Sequence, residues 1–232
     1  MPQVFSPPVL RPCGDRAVLM ELGDAIDPAV NRLVGRALEA LDQHRPDWLV
    51  EAVGAYRSLM VIYDPLRADY QQVSRHLAAL ELAQAAGRRE DGGVVEIPVC
   101  YGGEFGPDLE MVARHNRLSA RQVVELHSAV AYHVYMMGFT PGFPYLGGLD
   151  PRLHTPRLES PRTTVAAGSV GIANDQTGIY PVASPGGWRI IGRTPRKLFD
   201  PRRDDPFLLR AGRRLRFVPI SQDEYRRLVA EG

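Results

Sequence analysis

Between Gly138 and Thr194 the chain gathers arginines and aromatics among glycines and prolines, from GFTPGFPYLGGLDPRL to SPGGWRIIGRTP. The arginines are Arg152, Arg157, Arg162, Arg189, Arg193 and Arg196. A guanidinium presents a planar fork that holds a carboxylate or a phosphate through paired hydrogen bonds. A small acid, a phosphorylated intermediate or an acidic partner surface would suit the group, although any one arginine taken alone reads better as a solvated loop charge. Phe139, Phe143, Tyr145, Tyr180 and Trp188 stand between the same glycines and prolines, where they line a pocket, dock a partner or fill a barrel core. His127 falls near the end of a predicted helix, so a protonated ring would meet the helix's negative end. General acid or base chemistry is open to it, and a hydrogen-bonded structural histidine is the plainer alternative. The interval from His127 to His133 fits neither one helix face nor a zinc pattern, and His154 adds no ligand spacing, so no metal site is expected. Ser169 and Ser184 lack the G-x-S-x-G setting of a serine nucleophile.

One stretch imitates a phosphate-binding loop. Gly187-Trp-Arg-Ile-Ile-Gly192-Arg193-Thr194 has the spacing of that motif with arginine in the place of lysine. Its middle, Trp188 to Ile191, alternates like a strand, and Pro195 removes a donor where the helix of such a loop would begin. The motif is therefore set aside.

The elements that position these residues follow from patterning. Residues 1–12 are proline-rich and predict an extended arm. Ala17–Leu22 predicts a strand. Asp27 and Pro28 predict a helix start, followed by Val30, Leu33, Val34, Ala37, Leu38 and Leu41 at helical spacing. Strands are expected at Trp48–Val53 and Tyr56–Tyr63, and a second helix from Asp69 to Ala86. The order β-α-β-β-α points to a small ferredoxin-like α/β domain over residues 1–90. The polar, glycine-rich stretch Gly87–Gly93 marks a boundary. Val94–Tyr101 is strand-like and is assigned to the second domain, residues 91–232. There Asp108–Asn116 predicts a short helix with Asp108 as its cap, and Ser119 with Gln122 a capping box for a helix to Ser128. Strands are expected at Ala131–Met137, Val165–Ala173, Ile179–Val182, Trp188–Ile191, Phe207–Leu209 and Arg214–Pro219, then a helix at Asp223–Glu231. Short strands with frequent turns indicate a barrel or sandwich, so the fold class is α+β.

The 232 residues carry a net charge of +1, which gives no ground for nucleic-acid binding. The two cysteines, Cys13 and Cys100, have no partner at metal-ligand spacing and suit a reducing cytosol. The first residues lack a signal-peptide plan and no apolar run is long enough for a bilayer, so the cytoplasm is expected and a membrane is not.

The blocks H127-S128, Y135-M-M-GFTPGFPYLGGLDPRL, PRTTVAAGSVGI, QTGIYPVASPGGW and IGRTP resemble the 5-oxoprolinase B-subunit family. That family was earlier labelled allophanate hydrolase subunit 1 and includes KipI-type inhibitors of a histidine kinase. The chain is also similar to part of the carboxyltransferase domain, subdomain C and D, of urea carboxylase. GDRAVLMELGD and YRSLMVIYDP in the first half agree more loosely. The resemblance implies a cyclophilin-like β-barrel in the second half. It implies two partners, a C subunit of related cyclophilin-like fold and an A subunit of LamB/YcsF-like type. Together the three cleave 5-oxoproline to glutamate with hydrolysis of ATP, with Mg2+, at the level of the complex. By position in the blocks it implies a composite cleft formed by His127, Phe139, Pro141, Gly142, Phe143, Tyr145, Arg157, Arg162, Gln176, Tyr180, Ser184, Gly186, Gly187, Trp188 and Arg193. Within it His127, Arg157, Arg162 and Arg193 are the catalytic candidates, with backbone N–H groups near Gly168. The alternatives are a kinase inhibitor with no chemistry of its own and a carboxyltransferase component. The latter would take biotin from another protein, since no Met-Lys-Met motif is present.

Overall fold

The computed structural model describes residues 3–82 and 93–231. Its contacts group into two compact units, Met1–Asp91 and Gly92–Gly232. Of the predicted boundary stretch, only Gly93 lies inside the described residues.

The first unit is a four-stranded antiparallel sheet backed by two helices. Its elements are β1 (Val4–Pro12), β2 (Ala17–Gly23), α1 (Pro28–Gln43), β3 (Leu49–Gly54), β4 (Ser58–Tyr63) and α2 (Tyr70–Ala78). The strand order is β1-β2-β4-β3. The proline-rich arm is thus a strand, not a loose extension. It takes the sheet edge that the last strand of a βαββαβ ferredoxin-like unit would occupy. An edge accommodates Pro7 and Pro8, where the register shifts between Val4 and Val9. Asp27 caps α1 by accepting from the Ala29 N–H, and α1 turns Val30, Val34, Ala37 and Leu41 inward. These residues pack with Val18, Met20, Leu59, Val61, Val73 and Leu77. The capping box of Asp69 and Gln72 starts α2, which ends at Ala78, short of the Ala86 expected; residues 83–86 lie outside the described residues.

The second unit contains β5 (Val94–Tyr101), α3 (Leu109–His115), α4 (Ala120–Ser128), β6 (Tyr132–Met137), β7 (Pro144–Gly147), β8 (Arg162–Val165), β9 (Ser169–Ala173), β10 (Gln176–Ile179), β11 (Ser184–Gly186), β12 (Arg189–Arg193), β13 (Arg214–Pro219) and α5 (Gln222–Glu231). Seven strands close a barrel in the order β10-β7-β6-β13-β5-β12-β9. The chain is thus an α+β protein, with a small sheet first in sequence and a closed β-barrel after it. β5 belongs to the barrel, parallel to β13 and antiparallel to β12. β8 and β11 form a separate two-stranded ribbon. The strand expected over Val165–Ala173 is two strands, broken at Gly168, whose φ is +81°. A Cβ there would lie 2.3 Å from the Thr194 carbonyl oxygen, so glycine is required on both counts. The expected strand at Phe207–Leu209 is only a single bridge from Phe207 to Phe199.

Candidate functional site

Two separate cores divide the barrel unit. The larger fills the barrel and takes in Val112 of α3 and Val123 of α4. The smaller contains Phe143, Val165, Ala173, Tyr180, Trp188 and Ile190, with Tyr145 packed against it. It brings together most of the aromatics that the motif blocks single out.

Phe143 is the hub. Its ring centroid lies 5.1 Å from Tyr145, 5.5 Å from Tyr180, 5.5 Å from Trp188 and 5.6 Å from Phe139, all in edge-on arrangements. Such pairs add to simple area burial because ring edges meet ring faces. Phe143, Tyr180 and Trp188 are buried, so they are core and not a wet surface. Phe139 is the opposite case, 65 % exposed with φ at +67°. It stands at a shallow depression of about 350 Å³, lined also by Met137, Pro141, Gly142 and Phe207.

Arg162 is held by a carboxylate and a backbone carbonyl. Arg162 donates to Asp108 Oδ1 at 2.8 Å and to the Trp188 carbonyl at 3.3 Å. The other Asp108 oxygen accepts the Ile190 N–H at 2.7 Å. Asp108 therefore does not cap α3 with its side chain, as its position suggested, because both oxygens are already engaged. Arg189 Nε donates to the Pro156 carbonyl, and the Leu158 N–H donates to the Gly187 carbonyl at 2.8 Å. The segments 156–162 and 186–189 are thus laced together. Gly186 lies opposite Arg162 in the ribbon, and a Cβ on Gly186 would sit 2.3 Å from the Tyr180 hydroxyl. Tyr180 feels both Arg157 and Arg162, although burial dominates and holds its phenol pKa up. Replacing Arg162 with alanine leaves the buried Asp108 carboxylate without its cation. The expected cost is about 1–2 kcal/mol in chemical denaturation, since a hydrogen bond to a charged group is lost at a partly exposed position.

Other candidates lie elsewhere. Arg193 donates to the Ala167 carbonyl at 2.8 Å and acts electrostatically on Tyr225 of α5. Gln176 begins β10 opposite Ala173, and Ser184 faces Val165 across the ribbon with its hydroxyl buried and unpartnered among the described residues. Arg152 is engaged with Asp150 through two hydrogen bonds. Ser169 is buried in β9, and His133 stands edge-on to Tyr135.

His127 is the clear correction. It does not line a cleft: it is wholly buried in the barrel unit, stacked on Phe217 at 4.5 Å. Thr177 donates its hydroxyl proton to the Gly171 carbonyl, so it must accept from His127 Nε2–H at 2.9 Å. Nδ1 is then bare and accepts the Tyr101 O–H at 2.8 Å. Burial lowers the ring pKa to about 3, so the helix end does not hold a protonated ring. Both nitrogens serve the core, which leaves none for a substrate.

The loop-like motif at Gly187–Thr194 contains β12, and Gly192 packs its backbone onto Val99 and Cys100. It does not wrap a phosphate. Among the described residues, no three His, Cys, Asp or Glu side chains gather at metal-binding distance, and no helix is long and apolar enough to cross a membrane.

Sequence reasoning misses Asp108 as the partner of Arg162, and Tyr101 and Thr177 as the partners of His127. These pairs span 54, 26 and 50 residues and leave no local signal. It also misses Phe207 beside the Phe139 loop.

The fold is thus a small antiparallel sheet followed in sequence by a closed barrel, with an arginine-bearing ribbon and a buried aromatic cluster in the second unit. The model for the carboxyltransferase domain, subdomain C and D, matches residues 8–209, and the chain belongs to that family. It is similar to the B subunit of 5-oxoprolinase from Bacillus subtilis (strain 168), 43 % identical over 226 residues that cover 91 % of this chain and 92 % of that protein. The same-named protein of Escherichia coli O157:H7 is 46 % identical over 207 residues, covering 89 % of this chain and 93 % of that one. The crystal structure of TTHA0988 superposes with a TM-score of 0.80 at 42 % identity, covering 89 % of this chain. This chain spans only 40 % of that longer one.

Proposed function

We propose that this chain is the B subunit of an ATP-dependent 5-oxoprolinase that cleaves 5-oxo-L-proline to L-glutamate together with its A and C subunits. The observation that carries this is the near end-to-end similarity to two 5-oxoprolinase B subunits at 43 and 46 % identity. The length of TTHA0988 supports a companion: that chain carries 60 % of its length beyond what this one matches (100 less the 40 % covered). The partners are a barrel-type C subunit and a LamB/YcsF-like A subunit, in a cytoplasmic complex.

The chemistry demands coupling. A five-membered lactam is unstrained and resists water; phosphorylating its amide oxygen makes the ring carbon electrophilic, so water adds there, the C–N bond breaks with the nitrogen leaving as the amine, and a second water hydrolyses the resulting acyl phosphate to glutamate and inorganic phosphate. Such a reaction needs cations over the transferring phosphoryl group and donors at the developing oxyanion. Gly187–Thr194 contains β12 and offers no phosphate loop, and ATP and Mg2+ are assigned only at the level of the complex. This chain contributes a rigid ribbon with guanidinium groups and an exposed aromatic loop.

The test is reconstitution. The A and C subunits with this chain should hydrolyse ATP in a 5-oxoproline-dependent way and release glutamate, and leaving this chain out should reduce the rate to background. Full activity in its absence removes the assignment.

A further inference from the structure

We propose that the loop Gly138–Phe143 is the docking anchor for the companion C subunit: Phe139 enters an apolar recess on that partner, and the partner seats an apolar side chain of its own in the depression beside Phe139. This rests on the 5-oxoprolinase reading and names the face through which this chain meets its companion.

The loop is built to hold one ring outward. At its base the Gly138 N–H donates to the Phe143 carbonyl at 3.1 Å. Inside it the Phe143 N–H donates to the Thr140 carbonyl at 3.0 Å across Pro141 and Gly142, and Gly142 has φ at +84°. Proline followed by glycine at positive φ makes a type II turn. The Thr140 N–H donates to the Gly138 carbonyl at 2.8 Å across Phe139, whose φ is +67°. That bond at positive φ is the rarer, strained hand of the γ-turn. A bulky side chain stays there only where its surroundings enforce it. They do so here: Phe143 is buried beneath the loop, and a Cβ on Gly142 would lie 3.0 Å from Phe199 Cβ. Two turns and two anchors leave the Phe139 backbone little freedom to lose on binding.

Position and surroundings choose the occupant. Among the described residues the barrel unit exposes two large apolar side chains, Phe139 and Val229 of α5. Of these, Phe139 is the aromatic one, and it borders the depression of about 350 Å³ together with Met137, Pro141 and Phe207. An aromatic knob beside an apolar hole is half of an interlocking protein contact. The depression is shallow, so a small molecule in it would stay wet on one side, whereas a protein surface seals it. The segment that supplies Phe207 carries five cations against three carboxylates between Arg196 and Arg210, which favours acidic groups around the partner's recess. The 5-oxoprolinase B subunit of Bacillus subtilis is matched over 92 % of its length, whereas this chain spans 40 % of TTHA0988. A subunit of the shorter kind has to recruit through its surface what TTHA0988 carries in its own chain.

The experiment places the photo-reactive residue p-benzoylphenylalanine at position 139 and, as the control, at position 66, where Leu66 of the first unit is 94 % exposed. In the reconstituted three-subunit complex, irradiation should join this chain to the C subunit from position 139 and not from position 66. Phe139→Asp keeps a residue type that tolerates positive φ and sets a carboxylate against the partner's apolar, acidic-rimmed recess. We expect it to raise the Kd for the C subunit about 100-fold or more, and Phe139→Trp to keep that Kd within about fivefold. The association rate should fall about tenfold or more from about 50 mM to about 500 mM salt. An active complex in which position 139 gives no adduct with the C subunit, or in which Phe139→Asp assembles as tightly as wild type, overturns the anchor and leaves the oxoprolinase assignment standing. Adducts to the A subunit or to a second copy of this chain overturn the occupant. An association rate indifferent to salt overturns the acidic rim. A wild-type mixture of the three subunits with no 5-oxoproline-dependent turnover overturns the assignment itself, and the named occupant with it.

Discussion

Replacing Phe139 with glycine should leave the isolated chain as stable as before and weaken, about 30-fold to 150-fold, its assembly with the proposed C subunit. Phe139 has φ at +67°, a region that a bulky L-residue enters at a cost of about 1 kcal/mol or more. Glycine enters it freely, but its extra freedom favours the unfolded chain by roughly 0.5–1 kcal/mol, so the two nearly cancel. The strain is accompanied by two further costs in the same loop. The side chain is 65 % exposed, and the neighbouring Thr140 hydroxyl is buried with no partner among the described residues. Inside the unit the ring makes an edge-on pair with Phe143. A strained, exposed aromatic beside a depression lined by Met137, Pro141 and Phe207 has the make-up of a binding anchor, and loss of such an anchor removes about 2–3 kcal/mol of association. Thermal unfolding of the isolated chain and calorimetric titration with the C subunit separate the two terms. Phe139→Ala should lose the same affinity without relief of the strain, and so be the less stable of the pair. Affinity for the C subunit that survives both substitutions would mean that the cleft closes elsewhere.

The parts of this molecule written in local chemistry are readable from the sequence. Asp27 with Pro28, and the capping boxes Asp69/Gln72 and Ser119/Gln122, start helices through bonds two or three residues long. Alternation finds most strands, yet it runs β8 and β9 together, because Ala166-Ala167-Gly168 reads as apolar until Gly168 turns to positive φ. It passes over β7, whose Pro144 and Gly147 look like turn residues but lie opposite Met137 and His133 in the barrel. The aromatic group is visible as a cluster in sequence; that Phe143 lies inside it and Phe139 outside is not, because both sit in the same punctuated motif. Arg157 and Arg162 are five residues apart and equally charged. Only the distant Asp108 separates the bound guanidinium from the free one.

His127 escapes a sequence reading for the same reason, and replacing it with leucine should cost stability and spare the chemistry. The substitution keeps the volume and strips the Tyr101 and Thr177 hydroxyls of their shared partner, so it should cost about 3 kcal/mol at about pH 7.5. The pH dependence is the sharper signature. The folded ring titrates at about 3 and the unfolded ring near 6.5, so between these values the unfolded chain carries a proton that the folded chain refuses. The stability contributed by the neutral ring is complete above about pH 6.5 and falls away as the pH drops towards 3, by about 1.4 kcal/mol per unit. At about pH 5 the wild-type chain should have lost about 2 kcal/mol from this group alone, and the leucine variant none of it, so the gap between them narrows by that amount. Urea unfolding of both proteins at these two pH values measures the difference directly. In the reconstituted complex the folded variant should keep its kcat within a few-fold, whereas removal of a general base would cost about a hundredfold or more. A gap that stays constant with pH, or a kcat that collapses while the fold survives, would return the proton of His127 to the reaction and take it out of the core.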